Sequence, residues 1–248
     1  MIGLSIAGFD PSGGAGILAD MKTFSTLGIH GTSVITALTA QNPKKFFSAL
    51  PIDTNYIEEQ LDSIMDEYQI RYAKTGMMYS KEVIELVHRK FKEYDINYVV
   101  DPVMVASSGG NLAKDDLSIS LKKYLLKDGL LVTPNTYEAE ILSRMKIMTL
   151  DNAIEASYKI AKYCNVMITG GHLDGKSIVN INGEIEIIEE KLIKTNNTHG
   201  SGCALSAAIV AYLVKGYDLK IAILKANEYV RLAIKNGWYG TLNPNEIK

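Results

Sequence analysis

The sequence predicts an α/β fold in which helices join the strands of a mostly parallel central sheet. Short apolar runs alternate with longer helical patterns along nearly all of the 248 residues, as in parallel strands connected by crossover helices. The segment 179–187 instead alternates in polarity around Asn182-Gly183, which predicts an antiparallel edge hairpin with a type I′ turn. No repeat, low-complexity segment or linker divides the chain, so we predict a single domain over 1–248.

The predicted strands are runs of apolar and β-branched residues, and they cover 2–7, 33–38, 72–74, 98–100, 130–133 and 166–169. The first strand lacks the basic segment and long apolar core of a signal peptide. The predicted helices cover 16–27, 56–67, 81–94, 116–125, 137–145, 151–163, 202–215 and 219–235. Asp53-Thr54 and Ser80 supply N-cap residues for the second and third of these helices.

Composition and charge exclude several classes of partner. The net charge of −2 gives no basic field for nucleic acid. No apolar run in the sequence reaches the about 18 residues that a membrane span needs. Cys164 and Cys203 are too few for a metal cluster or a disulfide framework. We therefore expect a cytoplasmic protein that binds a small molecule, with neither a nucleic-acid nor a membrane partner.

Polar and glycine residues follow the predicted strands one after another. Ligands of parallel sheets bind beyond the carboxyl ends of the strands, and these ends meet at one edge. The loop 8–16 is rich in glycine, and Gln41, Asp101 and Glu138 follow later strands. This convergence predicts a small-molecule site. Taken alone, Gln41 could bind the polar edge of a ring or be a satisfied loop residue, and Met77 fits core packing.

A glycine-rich turn at 197–203 runs directly into a helix of small and apolar residues. Gly200 and Gly202 allow backbone N–H groups to converge, and the helix dipole adds positive potential. Such a turn is suited to a phosphate, although it is equally consistent with a plain connection into a buried helix. It is not a Walker A loop, because no Lys-Ser or Lys-Thr follows the glycines.

Two carboxylates indicate how a phosphate could be held near this turn. Asp101 closes a very apolar strand, where an unused charge is costly, although it could also cap the following loop. Glu138 lies three residues after Asn135, a spacing that also fits a simple capping box. Together the two carboxylates are typical of a Mg²⁺ site in which water supplies most of the ligands.

Cys203 lies just inside the predicted helix that follows the turn. The N–H groups and the dipole at that position are expected to lower the pKa of the thiol. The thiol could be a general base, a nucleophile or an inert small side chain. A cysteine hydrolase stays open because His199 is near in sequence, but that mechanism also needs an orienting third group. Asp20, early in the helix 16–27, fits a solvated surface position by pattern alone.

Eight motifs occur in order along the chain, at 7–16, 19–24, 36–42, 74–77, 101–106, 133–140, 170–172 and 197–203. With these motifs the chain resembles the hydroxymethylpyrimidine/phosphomethylpyrimidine kinases of thiamine biosynthesis, in the ribokinase superfamily. The resemblance implies a ribokinase-like three-layer α/β/α sandwich with little or no lid, assembled as a homodimer. It also implies ATP as co-substrate and Mg²⁺ as cofactor. The γ-phosphoryl group would pass to 4-amino-5-hydroxymethyl-2-methylpyrimidine and then to its monophosphate.

The resemblance further implies roles for individual residues. Gln41 would hydrogen-bond the aminopyrimidine, and the ring would be surrounded by Gly8, Ala15, Asp20, Met77 and Val103. The transferring phosphoryl group would be bound by an anion hole of Gly200, Ser201 and Gly202. Cys203 would take the place of the aspartate base of sugar kinases. Asp101 and Glu138 would organise Mg²⁺ through water, and the nucleotide would be contacted by Asn135, Thr169 and Gly171.

Two positions depart from the family pattern. Phe9 stands where serine is common, and it could cover the pyrimidine. Thr169 stands where many relatives have lysine, so other groups would have to meet the phosphate charge. Two further functions stay open on the sequence, a pyridoxine/pyridoxal kinase and a non-catalytic pyrimidine or nucleotide sensor. The intact Asp101, Glu138 and 200–203 count against the sensor.

Overall fold

A computed structural model describes residues 1–104 and 114–244. Its strands are β1 (Ile2–Phe9), β2 (His30–Asn42), β3 (Lys45–Pro51), β4 (Tyr72–Thr75), β5 (Asn97–Val100), β6 (Leu131–Val132), β7 (Asn165–Ile168), β8 (Lys176–Ile181) and β9 (Glu184–Glu189). Its helices are α1 (Gly16–Thr26), α2 (Thr54–Glu67), α3 (Lys81–Glu93), α4 (Lys114–Ser120), α5 (Thr136–Ser143), α6 (Leu150–Ile160), α7 (Ser201–Val214) and α8 (Leu219–Lys235). A π-helical turn, Leu121–Leu126, continues α4.

The nine strands of the described residues form one sheet, in the order β3-β2-β1-β4-β5-β6-β7-β8-β9. The pairs from β2 to β7 are parallel, so their carboxyl ends share one edge. The pairs at both margins of the sheet are antiparallel. The predicted α/β fold with a mostly parallel sheet is therefore confirmed.

The predicted edge hairpin is confirmed in β8 and β9. Asn182 and Gly183 connect these strands with φ values of 53° and 89°. Both values are positive, as a type I′ turn requires at its two central residues.

The strand β3 was not predicted, and it makes the second antiparallel margin. Its side chains are exposed or half-buried. Its sequence does not alternate between apolar and polar residues, which is the pattern that predicts a half-buried strand. The turn before it is held by Asn42, whose Oδ1 accepts the N–H groups of Lys44 and Lys45 at 2.9 and 3.0 Å. The Asn42-Pro43 dipeptide is the turn signal that could have predicted this hairpin.

The core is divided by the sheet into two layers of side chains. Along β5, Val99 packs with α7 and α8, whereas Tyr98 and Val100 pack with helices of the other face. Leu131 and Val132 of β6 divide in the same way, because successive strand residues point to opposite faces. The architecture is thus a three-layer α/β/α sandwich.

The helix α7 packs directly on the sheet and is almost entirely buried along its length. It carries small and apolar residues on all sides, which is typical of a fully buried helix. Among the described residues, none of the helices combines the length and apolar character needed to cross a membrane.

Candidate active site

A cavity of about 700 Å³ opens where the parallel strands end. All but one of the predicted site residues line it, namely Gly8, Ala15, Gln41, Met77, Asp101, Val103, Asn135, Glu138, Thr169, Gly171, Gly200, Ser201, Gly202 and Cys203. The exception is Asp20, which is fully buried outside the cavity wall. The last two residues of the motif 101–106 lie outside the described part of the chain.

The turn before α7 has the geometry of an anion-binding site. Gly200 has φ 86°, a left-handed conformation that favours glycine. A Cβ at Gly200 would also overlap the carbonyl group of Gly14. A Cβ at Gly202 would lie 3.9 Å from both carboxylate oxygens of Asp101. Within the described structure no side chain caps the N-terminus of α7. The Ser201 N–H group donates to the Thr198 carbonyl at 3.1 Å, and the helix dipole favours an anion at this end.

A buried histidine–aspartate pair ties this turn to the first loop. His199 Nε2 lies 2.8 Å from Asp10 Oδ2, and both side chains are buried. Asp10 also accepts the N–H groups of Ser12 and Ala15, each at 2.9 Å. Burial would raise the pKa of Asp10, but the bonds from His199 and Ser12 outweigh burial and lower that pKa. The pair therefore fixes the anion-binding turn against the first loop, whose residues Ala15 and Gly16 also line the cavity.

Asp101 and Glu138 are buried at the cavity wall, with 4% and 5% exposure. Glu138 also completes a capping box with Asn135, in which each residue accepts the other's N–H group at 2.9 Å. Glu138 can therefore both cap α5 and take part in the site. Burial, followed by the nearby charge of Asp101, raises the pKa of Glu138 well above its usual range.

This donor set fits a hydrated magnesium ion better than a metal held by protein ligands alone. The mutual repulsion of two buried carboxylates would be relieved by a divalent cation between them. Among the residues that the structure describes, no group of three or more His, Cys, Asp or Glu side chains could hold a metal ion. A magnesium ion held at these carboxylates would take its other ligands from water and phosphate oxygens, as Mg²⁺ usually does.

The expectation of a lowered pKa at Cys203 is wrong. Burial raises the pKa of this thiol, and the opposing ammonium of Lys74 does not compensate for it. The thiol lies beside Asp101, which accepts its hydrogen bond, and beside the N–H group of Gly16. The helix N-terminus is one contribution among several, and desolvation in the packed interior is larger.

Asp20 is neither solvated, as its sequence pattern predicted, nor exposed to the cavity, as the resemblance implied. Its side chain is 0% exposed and accepts the hydroxyl group of Ser5 at 2.5 Å. Lys74 Nζ donates to it from 3.2 Å. Burial raises the pKa of Asp20 to about 6, although Lys74 opposes this shift.

Lys74 is the charged residue that the sequence reasoning missed. It is 0% exposed, and its Nζ lies 3.2 Å from Asp20 and 3.6 Å from Asp101. A signal was available, because a lysine inside an apolar strand is costly unless it is paired. The carboxylates that pair with it come from α1 and from the residue after β5. The local sequence does not show where these elements lie relative to β4.

The side of the cavity that contains Gln41 and Met77 is shaped by backbone irregularity and close packing. Gln41 lies where the register between β2 and β3 shifts, and such bulges re-aim side chains at functional sites. Met77 is buried, and its Sδ would lie 3.0 Å from a Cβ at Gly8. Met77 therefore both packs in the core and lines the cavity, and glycine at position 8 leaves room for it.

The far end of the cavity is lined by the segment 190–195 and by one face of α8. Asn227, Val230 and Arg231 lie on this face at spacings of three and four residues. Arg231 Nε lies 3.9 Å from Glu190 Oε1, which links α8 to the segment. The buried Nδ2 of Asn227 has no acceptor among the described residues. None of these residues was predicted as part of a site, because their helical spacing resembles ordinary core packing.

Comparison with known proteins agrees with this geometry. A family model described as phosphomethylpyrimidine kinase matches residues 10–244. The chain is 39% identical over 244 residues to the hydroxymethylpyrimidine/phosphomethylpyrimidine kinase of Aquifex aeolicus, with 95% of each chain covered. It is 39% identical over 247 residues to the pyridoxine kinase of Bacillus subtilis, covering 95% of this chain and 90% of the relative.

A solved structure extends the likeness to three dimensions. The ADP complex of Bacillus subtilis pyridoxal kinase matches with a TM-score of 0.88 at 38% identity, covering 94% of this chain and 91% of that chain. The fold is thus ribokinase-like, as the resemblance implied. Since these relatives are named kinases, the protein is a phosphotransferase, and neither the cysteine hydrolase nor the non-catalytic sensor is retained. With the family model matched from residue 10 to residue 244, the chain belongs to the phosphomethylpyrimidine kinase family.

Proposed function

We propose that this kinase transfers the γ-phosphoryl group of ATP to 4-amino-5-hydroxymethyl-2-methylpyrimidine, and then phosphorylates the resulting monophosphate to the diphosphate. One observation carries the proposal: a glycine-rich anion site and a pocket containing Gln41 open into the same cavity. The Aquifex aeolicus relative, named for both pyrimidine activities, supports this choice of substrate.

The anion site supplies most of the catalysis in this proposal. Phosphoryl transfer needs little covalent chemistry from the protein, and depends on positioning and on electrostatic stabilisation of the transferring group. In this proposal Gly200, Ser201 and Gly202 surround the position where that charge develops, at the positive end of the α7 dipole. Mg²⁺, when bound near Asp101 and Glu138, would neutralise phosphate charge.

Residues on opposite sides of the cavity orient the two substrates. Gln41 hydrogen-bonds the aminopyrimidine, and the ring lies among Gly8, Ala15, Met77 and Val103. The nucleotide extends past Asn135, Thr169 and Gly171 towards the far end, where the Nδ2 donor of Asn227 needs an acceptor. Thr169 contributes no charge, so the phosphates depend on the anion site and the cation. Cys203 receives the alcohol proton as its own thiol proton passes to Asp101, which accepts its hydrogen bond.

A single assay tests the substrate. The protein is incubated with Mg-ATP and, separately, with the hydroxymethylpyrimidine, its monophosphate and pyridoxal, and the products are resolved by chromatography. We expect turnover of the first two. Failure of both would refute the proposal, and turnover of pyridoxal alone would select the pyridoxal kinase alternative, which the similarity to a pyridoxine kinase favours.

We also propose a cytoplasmic homodimer, formed through the exposed margin of the sheet at β3. Phe47 and Leu50 on this terminal strand are 59% and 63% exposed, and a free strand edge with apolar side chains favours association. Phe47→Asp should convert the dimer to a monomer in light scattering. Met148→Asp is the control, because Met148 is 82% exposed on another surface. A dimer that survives Phe47→Asp would place the interface elsewhere.

A further inference from the structure

A buried chain of charges extends from the cavity wall into the protein. Cys203 and Asp101 line the cavity, whereas Lys74 and Asp20 do not. Lys74 Nζ lies between the two carboxylates, 3.6 Å from Asp101 Oδ2 and 3.2 Å from Asp20. Ser5 donates its hydroxyl group to Asp20 at 2.5 Å. The order from the cavity inwards is therefore Asp101, Lys74, Asp20.

The positions of these residues in the fold make the chain rigid. Lys74 is the third residue of the central strand β4, which is paired with β1 and β5. Its neighbour Ala73 packs in the core of the opposite face, so the lysine points towards the layer of α1 and α7. Asp20 is held on α1, and its Ser5 partner is in β1. Lys74 and Asp20 are thus anchored by regular secondary structure, and Asp101 directly follows β5, where its N–H group donates to the Thr75 carbonyl of β4 at 3.0 Å.

The electrostatics require all three groups together. An unpaired buried ammonium or carboxylate is strongly unfavourable, and breaking a buried pair leaves an uncompensated charge. Asp101 contributes a carboxylate that faces the space beside Gly202, the position proposed for the transferring phosphoryl group. Its location there depends on the ammonium behind it, and the ammonium depends on Asp20.

We propose that Lys74 and Asp20 are positioning residues for phosphoryl transfer. The Lys74 ammonium holds the Asp101 carboxylate beside the N-terminus of α7, and Asp20 fixes that ammonium from the opposite side. Asp20 therefore acts through Lys74 and not by touching the pyrimidine, which revises the role that the resemblance implied. This inference rests on the proposed phosphoryl transfer. It predicts that the two residues affect kcat and not the KM for the pyrimidine.

Asp20→Asn is the decisive variant, because it keeps the shape of the side chain and removes its charge. A displaced catalytic carboxylate should lower kcat by about 100-fold, the typical effect of a misplacement near 1 Å. The KM for the pyrimidine, and its Kd measured by calorimetry without ATP, should change little. A higher KM and Kd with an unchanged kcat would overturn the proposal, since that result indicates a direct contact with the ring.

A double variant separates positioning from folding. Asp20→Asn alone leaves a buried ammonium partly unpaired, whereas Asp20→Asn combined with Lys74→Met removes both charges. We expect the double variant to regain most of the Tm lost in Asp20→Asn, but to keep the low kcat, because Asp101 still lacks its anchor. Recovery of kcat to the wild-type value would show that the ammonium is not needed.

The matched control is Asp62→Asn. Asp62 accepts a hydrogen bond from the buried Lys90 at 2.7 Å, but neither residue lines the cavity. This variant should retain the wild-type kcat, and an equal loss there would attribute the effect at Asp20 to general destabilisation. The comparison uses whichever alcohol the wild type phosphorylates. A pyridoxal-specific wild type would therefore refute the proposed pyrimidine substrate while still testing the roles of Asp20 and Lys74.

Discussion

Replacing Cys203 by alanine should lower kcat by about 10²- to 10⁴-fold, the usual contribution of a general base. The thiol lies at the cavity wall beside Asp101, where the alcohol must lose its proton as phosphoryl transfer proceeds. The KM for the pyrimidine should change little, because ring recognition is assigned to Gln41 and the residues around it. Steady-state kinetics with each substrate varied separately measure both quantities.

The raised pKa of Cys203 also predicts the result of a serine substitution at this position. A buried thiol that keeps its own proton is a weak base unless Asp101 takes that proton as the reaction proceeds. Cys203→Ser should therefore restore little activity, since a serine hydroxyl group is less acidic than a thiol. Cys164→Ala is the control, because Cys164 is a second partly buried cysteine outside the cavity lining. A nearly unchanged rate in Cys203→Ala would show that positioning and the anion site suffice without a base.

Gly200→Ala should lower kcat by about 10²- to 10³-fold, the loss seen when one preorganised anion-binding donor is removed. A Cβ at this position would overlap the carbonyl group of Gly14, so the turn and the first loop must separate. The N–H groups at the start of α7 would then no longer point to the transferring phosphoryl group. The free energy of unfolding should also fall, and urea denaturation measures that change.

Gly216→Ala is the matched control for this variant. Gly216 follows α7 with φ 89° and has open space around it, so alanine there meets the same backbone strain without a clash. It should reduce the free energy of unfolding by about 1–2 kcal/mol and leave kcat unchanged. Equal kinetic losses in the two variants would contradict a specific role for the turn at Gly200.

The sequence predicted which residues would meet at one edge of the sheet, because these residues lie at or after the carboxyl ends of its parallel strands. The topology alone brings Gln41, Asp101 and Glu138 to one edge, so no distances were needed to place them around a common cavity. The hairpin at Asn182-Gly183 was equally predictable, since a type I′ turn depends on two adjacent residues. These features are local, or follow from a general rule for the fold.

The features that were missed depend on tertiary packing. One partner of Lys74 lies 54 residues before it and the other directly follows the neighbouring strand β5, so the local sequence pattern does not show the pairing. The pKa of Cys203 was predicted in the wrong direction because the burial of α7 on the sheet outweighs the effect of the helix N-terminus. For Asp20, the helical pattern gave no sign that α1 turns this face inward.

The contact between His199 and Asp10 joins residues 189 positions apart, which has a consequence for synthesis of the protein on the ribosome. The first loop emerges early, but the turn that completes the phosphate site emerges only after four fifths of the chain. A nascent chain can therefore form β1 and its loop without acquiring an anion site. Nucleotide binding, and the stabilisation that it gives the folded state, become available only when translation is nearly finished.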